Sequence, residues 1–256
     1  MQINEQVVKN NQIVKKSYPA QLIVAALNEE QGIGPTLTDF IDNLGSIPIL
    51  VVDGRSRDRT VEISKNLGAD IAFQDGVGKG NAIAKAIEYI DFHIKYVVLT
   101  DADYTYPAEY VPQMIKILEE NPTVGMVCGN RFGREIDPKA VRSSFYFGNK
   151  LLALAHELLN GVSLHDPLTG LRVIRTELLR DWNVKSQGFD IEVELNRYIE
   201  RKGYLTIEVP IKYRQRLGEK KLKAKHGVTI MKRILQEATS GNSRKQLSPL
   251  SSLRKF

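Results

Sequence analysis

Cysteine is almost absent from this 256-residue sequence, in which Cys128 is the single thiol. One cysteine cannot form an intrachain disulfide or a cysteine-based zinc site. The four histidines are scattered and show no metal-ligand spacing. The composition therefore excludes a fold held by disulfides or by a cysteine zinc site, and it fits a reducing compartment.

Long apolar runs are missing as well. No stretch reaches the length of about eighteen apolar residues that a membrane-spanning helix needs. Residues 1–18 are polar and lack the apolar centre of a signal peptide, so we expect a flexible N-terminal arm. Residues 239–256 predict a basic, disordered tail. A membrane-bound substrate would have to be reached from the membrane surface or through a membrane-anchored partner subunit.

Three widespread ligand-binding motifs do not occur. The glycine-rich segment 76–80 has Gly80, not Ser or Thr, after Lys79, so it is not a P-loop. The first predicted strand is not followed by Gly-x-Gly-x-x-Gly, and no Gly-x-Ser-x-Gly is present. These absences argue against a P-loop enzyme, a dinucleotide-binding fold and a serine hydrolase.

The charges favour the positive sign moderately, with 36 Lys and Arg against 30 Asp and Glu and a formal net charge of +6. Such an excess favours anionic partners, for example nucleotide phosphates or an acidic membrane surface. Basic residues concentrate in residues 214–225 without interleaved aromatic residues. We therefore expect no nucleic-acid partner.

Short apolar segments alternate with segments of helical periodicity along the first half of the chain. Strands are predicted at 21–27, 47–52, 70–73, 96–100 and 124–128, and helices at 34–43, 60–67, 81–90 and 107–120. This alternation predicts a single α/β domain over residues 19–238, with a mostly parallel, Rossmann-like central sheet flanked by helices.

The second half contains an unusually apolar predicted helix at 143–160, which includes Phe147, Leu151 and Leu158. Two interpretations stay open: a helix of the core, or an amphipathic helix that faces lipid. A helix at 187–201 and a strand at 206–213 follow.

Two apolar strands end in carboxylates. Leu99 and Thr100 lead into Asp101 and Asp103, and Val51 and Val52 lead into Asp53. The carboxyl ends of parallel strands share one edge of a sheet, where such folds bind ligands. An Asp-x-Asp pair there offers the oxygen ligands that Mg²⁺ or Mn²⁺ prefers when it holds a diphosphate. The alternative is a solvated strand end, because Asp is common in turns.

Four segments occur in a characteristic order: VAALNE from Val24, VDGRSRDRT from Val52, GKG from Gly78 and DAD from Asp101. Together they resemble the family 2 glycosyltransferases of GT-A fold. The later segments are GNR from Gly129, GNK from Gly148, DPLTGLR from Asp166, GFDIEVEL from Gly188, EVPI from Glu208 and YRQRLGEKKL from Tyr213. They resemble the polyprenyl-phosphate hexosyltransferases, in particular the dolichol-phosphate mannose synthases. The resemblance divides the domain into a nucleotide-sugar half, 19–128, and an acceptor half, 129–238.

The resemblance implies a nucleotide-sugar site formed by Ala25, Asn28, Glu29, Asp53, Lys79, Asp101, Ala102, Asp103, Arg216 and Lys221. It also implies a Mg²⁺ or Mn²⁺ ion on Asp101 and Asp103. Thr105 stands where the family commonly has a Gln that contacts the metal, and its shorter hydroxyl would be a weaker ligand. Similarly, Gly54 stands where many members have Asp.

Arg131 and Arg142 would hold the phosphate of the acceptor, and catalysis would rest chiefly on Asp103 and Arg131. Asp190 and Glu192 are the further catalytic candidates, because a neutral acceptor would need one of them as a base. Acids at a helix start also favour the helix dipole, which explains them without catalysis.

The implied function is metal-dependent, inverting transfer of mannose or glucose from GDP-mannose or UDP-glucose to a polyprenyl (dolichyl) phosphate. Such an enzyme would associate peripherally with the cytoplasmic face of a membrane. Two alternatives stay open. One is a soluble family 2 enzyme with a sugar or polysaccharide hydroxyl as acceptor. The other is a non-catalytic homologue that binds nucleotide sugars.

Overall fold

A computed structural model describes residues 18–133, 144–221 and 225–240 of the chain. Its seven strands are β1 (Ala20–Ala26), β2 (Ile49–Asp53), β3 (Asp70–Phe73), β4 (Tyr96–Asp101), β5 (Val124–Asn130), β6 (Arg172–Arg175) and β7 (Leu205–Pro210). They form one sheet in the order β3-β2-β1-β4-β6-β5-β7. Only β6 runs antiparallel to its neighbours in this sheet, so the prediction of a mostly parallel sheet is confirmed.

Helices cover both faces of the sheet. The helices in the described ranges are α1 (Ile33–Leu44), α2 (Thr60–Asn66), α3 (Lys79–Ile87), α4 (Val111–Glu120), α5 (Ser144–Asn160), α6 (Ile191–Arg201) and α7 (Lys225–Thr239). Short 3₁₀ turns occupy Ala108–Tyr110 and Thr176–Leu179.

The central strands β1 and β4 are largely apolar because both of their faces are buried. Successive side chains of a strand point to opposite faces, so Leu22 and Val24 of β1 pack toward α1 and α4. Ile23, between them, packs toward α3 and α6 on the other face. Two apolar layers therefore enclose the sheet and fix the positions of the strand ends.

The register of the sheet brings the acidic strand ends together. Ala26 of β1 lies beside Asp53 of β2, and Ala25 lies beside Asp101 of β4. Asp53 and Asp101 therefore flank the end of β1 at one edge of the sheet, as the sequence predicts.

Helix α5 combines the two interpretations that its apolar sequence left open, because it is buried on one side and exposed on the other. Leu152 and Ala153 are buried against the body of the protein, whereas Phe147, Leu151 and Leu158 are exposed. The helix therefore has an apolar buried side and an apolar exposed side. None of the helices in the described ranges has the combined length and apolar character needed to cross a bilayer.

Several boundaries and one helix differ from the prediction. Helix α3 begins at Lys79 rather than at 81, so the end of the glycine-rich segment is helical. The strand predicted at 206–213 ends at Pro210, because the chain then turns back over the sheet edge, where the Arg214 amide bonds the Thr105 carbonyl. Helix α7 has no counterpart in the sequence prediction; its Ile230 and Ile234 pack on Leu152 and Val193.

Some predicted features lie outside the residues that the structure describes. The N-terminal arm at 1–18 and the tail at 239–256 lie almost entirely outside the described residues, as does Arg142. Their predicted properties stay predictions.

A glycine at the start of α3 allows this helix to contact the loop before α6. An added Cβ at Gly80 would lie 2.1 Å from the Ser186 carbonyl oxygen. We expect Gly80→Ala to destabilise the fold by about 1–3 kcal/mol through overpacking, measured by urea unfolding. Gly148→Ala on exposed α5, where nothing lies within 4 Å, is the matched control. It should be stabilising by up to about 1 kcal/mol. Equal effects of the two substitutions would contradict this account.

Candidate active site

The loops after β1 and β2 are locked together by side-chain hydrogen bonds. Asp53 is fully buried, and its carboxylate accepts hydrogen bonds from the Ser56 amide (2.7 Å) and hydroxyl (2.5 Å). The Asn28 amide donates to the Ser56 hydroxyl at 2.8 Å, and the Arg57 amide donates to Asn28 Oδ1 at 2.8 Å. Asp53 thus organises the loops around the predicted nucleoside pocket, and a contact with the base stays a prediction.

A lysine joins the end of β4 to the start of α6. Lys79 Nζ lies 2.6 Å from Asp101 Oδ1 and 2.6 Å from Glu192 Oε1. Burial alone would lower the pKa of Lys79, but the two carboxylates outweigh it and raise that pKa. Burial would raise the pKa of Asp101, and the charge of Lys79 outweighs this and lowers it. The lysine is therefore a permanent cation, and Asp101 stays ionised.

The second acid of the Asp-x-Asp pair has a different counter-ion. Arg216 Nη1 donates to Asp103 Oδ2, and Arg216 Nη2 donates to Glu29 Oε1, each at 2.5 Å. Lys221 Nζ contacts the same Glu29 oxygen at 2.5 Å and the Asn28 carbonyl at 3.0 Å. The basic segment 214–221 therefore lies over the acidic edge, as the resemblance implied for a ligand-binding role.

Thr105 stabilises Asp103 directly. Its hydroxyl donates to Asp103 Oδ1 at 2.5 Å, and its amide donates to the same oxygen at 3.2 Å. The Thr105 hydroxyl, predicted to be a weak metal ligand, thus lies at the Asp-x-Asp pair and orients the Asp103 carboxylate.

The two aspartates fit a divalent ion that takes only part of its ligands from protein. Burial, and then the charge of Asp101, raise the pKa of Asp103. A nearby Glu29 oxygen, Oε2, is buried without a hydrogen-bond partner. The described residues contain no group of three or more His, Cys, Asp or Glu side chains placed to hold a metal. Mg²⁺ and Mn²⁺ suit such a site, because they bind through one or two carboxylates together with phosphate oxygens and water.

Arg131 follows β5 and lies on the side of the site formed by the second half of the chain. Its Nε and Nη2 donate to the two carboxylate oxygens of Asp166 at 2.7 Å each. Burial alone would lower the pKa of Arg131, but Asp166 outweighs it and raises that pKa. The guanidinium lies 5.3 Å from the Phe132 ring centroid and 5.5 Å from that of Tyr213. Arg131 is thus a fixed, permanent cation.

The acidic side chains at the start of α6, Asp190, Glu192 and Glu194, are buried, and each is paired with a cation or with backbone amides. Asp190 accepts from Arg233 Nε at 2.9 Å and from the Gly188 amide at 3.1 Å. Glu194 accepts from the amides of Lys185 (2.9 Å) and Ser186 (2.6 Å). Arg233 Nη2 also lies 3.9 Å from Glu194, whereas Glu192 turns toward Lys79. Asp190 and Glu194 therefore share one face of the helix.

The arrangement matches one family over most of the chain. The family model described as glycosyl transferase family 2 matches residues 21–182. The chain belongs to glycosyl transferase family 2. The resemblance stated from the sequence motifs is therefore confirmed.

Among its curated relatives is a protein of Haloferax volcanii named dolichyl-phosphate hexose transferase. It is 37% identical over 84% of this chain and 94% of its own length. An undecaprenyl-phosphate mannosyltransferase of Micrococcus luteus is 26% identical over 78% of this chain and 86% of its own. Both relatives are named for transfer to a polyprenyl phosphate.

A solved structure supports the GT-A fold. Glucosyl-3-phosphoglycerate synthase from Mycobacterium tuberculosis superposes with a TM-score of 0.67 at 17% identity, covering 86% of this chain and 80% of its own. That structure contains Mn²⁺, UDP-glucose and glycerol 3-phosphate. At this identity the similarity establishes the fold alone, and the predicted GT-A architecture is confirmed.

Sequence reasoning about this family 2 member assigned no role to Arg233, Glu208 or Tyr213. Arg233 lies on α7, where no helix was predicted, although the spacing of Ile230 and Ile234 was a usable signal. Glu208 and Tyr213 belong to segments that carried the resemblance, but their partners are distant in sequence. Asp166 begins the segment DPLTGLR, and the structure pairs it with Arg131.

Removing Lys79 would leave the buried Glu192 without its cation and would take from Asp101, whose side chain is 31% exposed, its closest cation. We expect Lys79→Met to reduce the free energy of unfolding by about 3 kcal/mol at pH near 8. Without the lysine, burial would raise the pKa of Asp101 in the folded state, so protonation of Asp101 would relieve part of the cost as the pH falls. Urea unfolding at about pH 5 and about pH 8 measures the difference.

The matched control is Lys85→Met. Lys85 pairs with Asp75 and Glu88, whose side chains are 80% and 58% exposed, so its removal should leave the unfolding free energy close to that of the wild type. The account is contradicted if the two lysine variants are equally stable.

Proposed function

We propose that this family 2 glycosyltransferase is a metal-dependent, inverting hexosyltransferase that moves mannose or glucose from a nucleotide diphosphate sugar to a polyprenyl phosphate. The observation that carries the proposal concerns charge. The acceptor side offers the Nη1 group of Arg131, which the pairing of this residue with Asp166 does not use, while the acids Asp190 and Glu192 are already paired with cations. Such a site suits an acceptor that arrives with its own negative charge.

A phosphate monoester is such an acceptor. Its second pKa is about 6, so at neutral pH it is largely a dianion and needs no base to remove a proton. One phosphate oxygen forms the bond to the anomeric carbon as the bond to the leaving nucleoside diphosphate breaks, and in-line attack inverts that carbon. The protein then contributes positioning and electrostatic stabilisation.

The donor would lie over the carboxyl edge of the sheet. Asp53 and the Asn28–Glu29 loop would border the nucleoside, and Ala25, Ala102 and Lys79 would line the path to the diphosphate. Asp101 and Asp103 would hold Mg²⁺ or Mn²⁺, which as a Lewis acid neutralises charge on the leaving diphosphate. Arg216 and Lys221, already at this edge, would bind the same phosphates, since a guanidinium suits bidentate contacts.

The lipid part of the acceptor has a matching surface. Leu151 of α5 and Val228 and Leu235 of α7 are exposed and line an apolar groove of about 490 Å³. Ring contacts from Phe132 to Tyr146 (5.1 Å) and on to Phe147 (5.8 Å) extend from Arg131 toward this groove. An apolar surface on a chain of net charge +6 suits peripheral binding to anionic lipid at the cytoplasmic face of a membrane.

A transfer assay tests the function. The purified full chain is incubated with Mg²⁺ or Mn²⁺, labelled GDP-mannose or UDP-glucose, and dolichyl phosphate. We expect label to enter the organic phase, and Asp103→Asn to reduce kcat/KM on the order of a hundredfold or more, because the metal loses a charged ligand. Asp70→Asn, at the exposed start of β3 on the opposite edge, is the matched control and should keep full activity.

Asp190→Asn separates the acceptor classes. With a phosphate acceptor this variant should retain transfer, because no proton has to be removed. Loss of transfer in Asp190→Asn and Glu192→Gln, together with label on a sugar hydroxyl, would support the soluble family 2 alternative. Binding of nucleotide sugar without any product would support the non-catalytic one.

A further inference from the structure

We propose that Asp166 is a positioning residue that holds Arg131 on the acceptor side of the site and keeps it away from the metal-binding aspartates. The proposal rests on the proposed function in assigning the acceptor phosphate to Arg131. It goes further in assigning Asp166 the task of separating two neighbouring charged sites.

The pairing of the two residues is bidentate and buried. Both Asp166 oxygens receive guanidinium hydrogen bonds, and Asp166 Oδ2 also accepts from the Arg131 backbone amide at 3.0 Å. The Asp166 side chain is fully buried, whereas 18% of the Arg131 side chain remains exposed. This pairing uses Nε and Nη2, so the Nη1 group is the one it leaves for a ligand.

Asp166 is itself held in place from several directions. Glu208 of β7 accepts the Asp166 backbone amide at 2.7 Å through Oε1. Its other oxygen accepts the His165 amide at 2.8 Å and lies 3.0 Å from His165 Nδ1. Asn149 of α5 contacts Asp166 Oδ1 at 3.4 Å. Elements on both sides of Asp166 thus fix its position, and with it the direction of Arg131.

The charges at the edge explain why Arg131 needs a dedicated counter-ion. Arg131 is close enough to Asp101 that its positive charge helps to lower the pKa of that carboxyl, after the larger effect of Lys79. Asp101 also lies against the loop that carries Asp166, since an added Cβ at Gly170 would stand 2.5 Å from Asp101 Oδ2. An arginine without Asp166 would therefore have Asp101 as a nearby carboxylate partner, and a buried unpaired guanidinium is costly. It would then compete with the divalent ion for that carboxylate.

The experiment measures Mn²⁺ binding to the full chain in the presence of GDP or UDP, followed by the electron paramagnetic resonance signal of free Mn²⁺. The proteins are the wild type, Arg131→Met, Asp166→Asn and the double variant Asp166→Asn/Arg131→Met. We expect Asp166→Asn to bind Mn²⁺ about tenfold more weakly, because the released Arg131 pairs with the metal ligands. Removal of Arg131 in the double variant should restore the affinity to that of Arg131→Met.

A purely structural role predicts another pattern, in which the double variant binds Mn²⁺ as weakly as Asp166→Asn, and this result would overturn the proposal. Asp166→Glu keeps the charge and is the second variant, in case Asp166→Asn does not fold. It should keep an affinity near that of the wild type, and an affinity about tenfold weaker would contradict the proposal.

Steady-state kinetics with polyprenyl phosphate test the effect of Asp166 on binding of the acceptor. Asp166→Asn and Arg131→Met should each raise KM for polyprenyl phosphate about tenfold or more, with no further increase in the double variant. Because Mn²⁺ binding requires no transfer, a wild type that fails to glycosylate a lipid phosphate would refute the proposed function without altering the Mn²⁺ result.

Discussion

The ion pair of Lys79 with Asp101 and Glu192 is the constraint on which the site depends. It links the end of β4 to the first turn of α6 through one buried cation. Replacing a buried ion pair by apolar residues is often neutral for stability, but removal of one partner is costly. The relative placement of β4 and α6 therefore depends strongly on all three of these charges being present.

Other acidic groups around this edge of the sheet are likewise paired with cations of the chain. The pairs are Arg216 with Asp103 and Glu29, Lys221 with Glu29, Arg131 with Asp166, and Arg233 with Asp190. Cations of the chain thus neutralise most of the acidic groups at this edge. Binding of a diphosphate and a divalent ion would exchange partners among charges that are already in position, which limits the reorganisation required.

Much of this could be predicted from the sequence, because the signals were local. The apolar strands that end in Asp53 and Asp101 predicted the sheet and its acidic edge, and the segments in order predicted the family. The pairings could not be predicted. Arg131 and Asp166 are 35 residues apart, and Arg216 and Asp103 are 113 apart, and nothing local to either residue indicates its partner.

Helix α7 is a second feature that could not be predicted from the sequence. Its sequence is polar on average, and its buried stripe is short, so the helix depends on packing against α5 and α6. The antiparallel direction of β6 is a third example, since a strand of four residues carries no signal for its orientation. In each case the deciding interactions are tertiary.

Arg216 pairs with Asp103 and Glu29, so a divalent ion has to compete with this arginine for their carboxylates. Calorimetric titration of the nucleotide-free protein with Mn²⁺ tests this competition most directly, comparing the wild type with Arg216→Gln. The matched control is Arg214→Gln, in which the arginine lost belongs to the same segment and pairs with Asp39. The account predicts that Arg216→Gln binds Mn²⁺ about tenfold more tightly than the wild type and that Arg214→Gln does not. Equal or weaker binding by Arg216→Gln would contradict it.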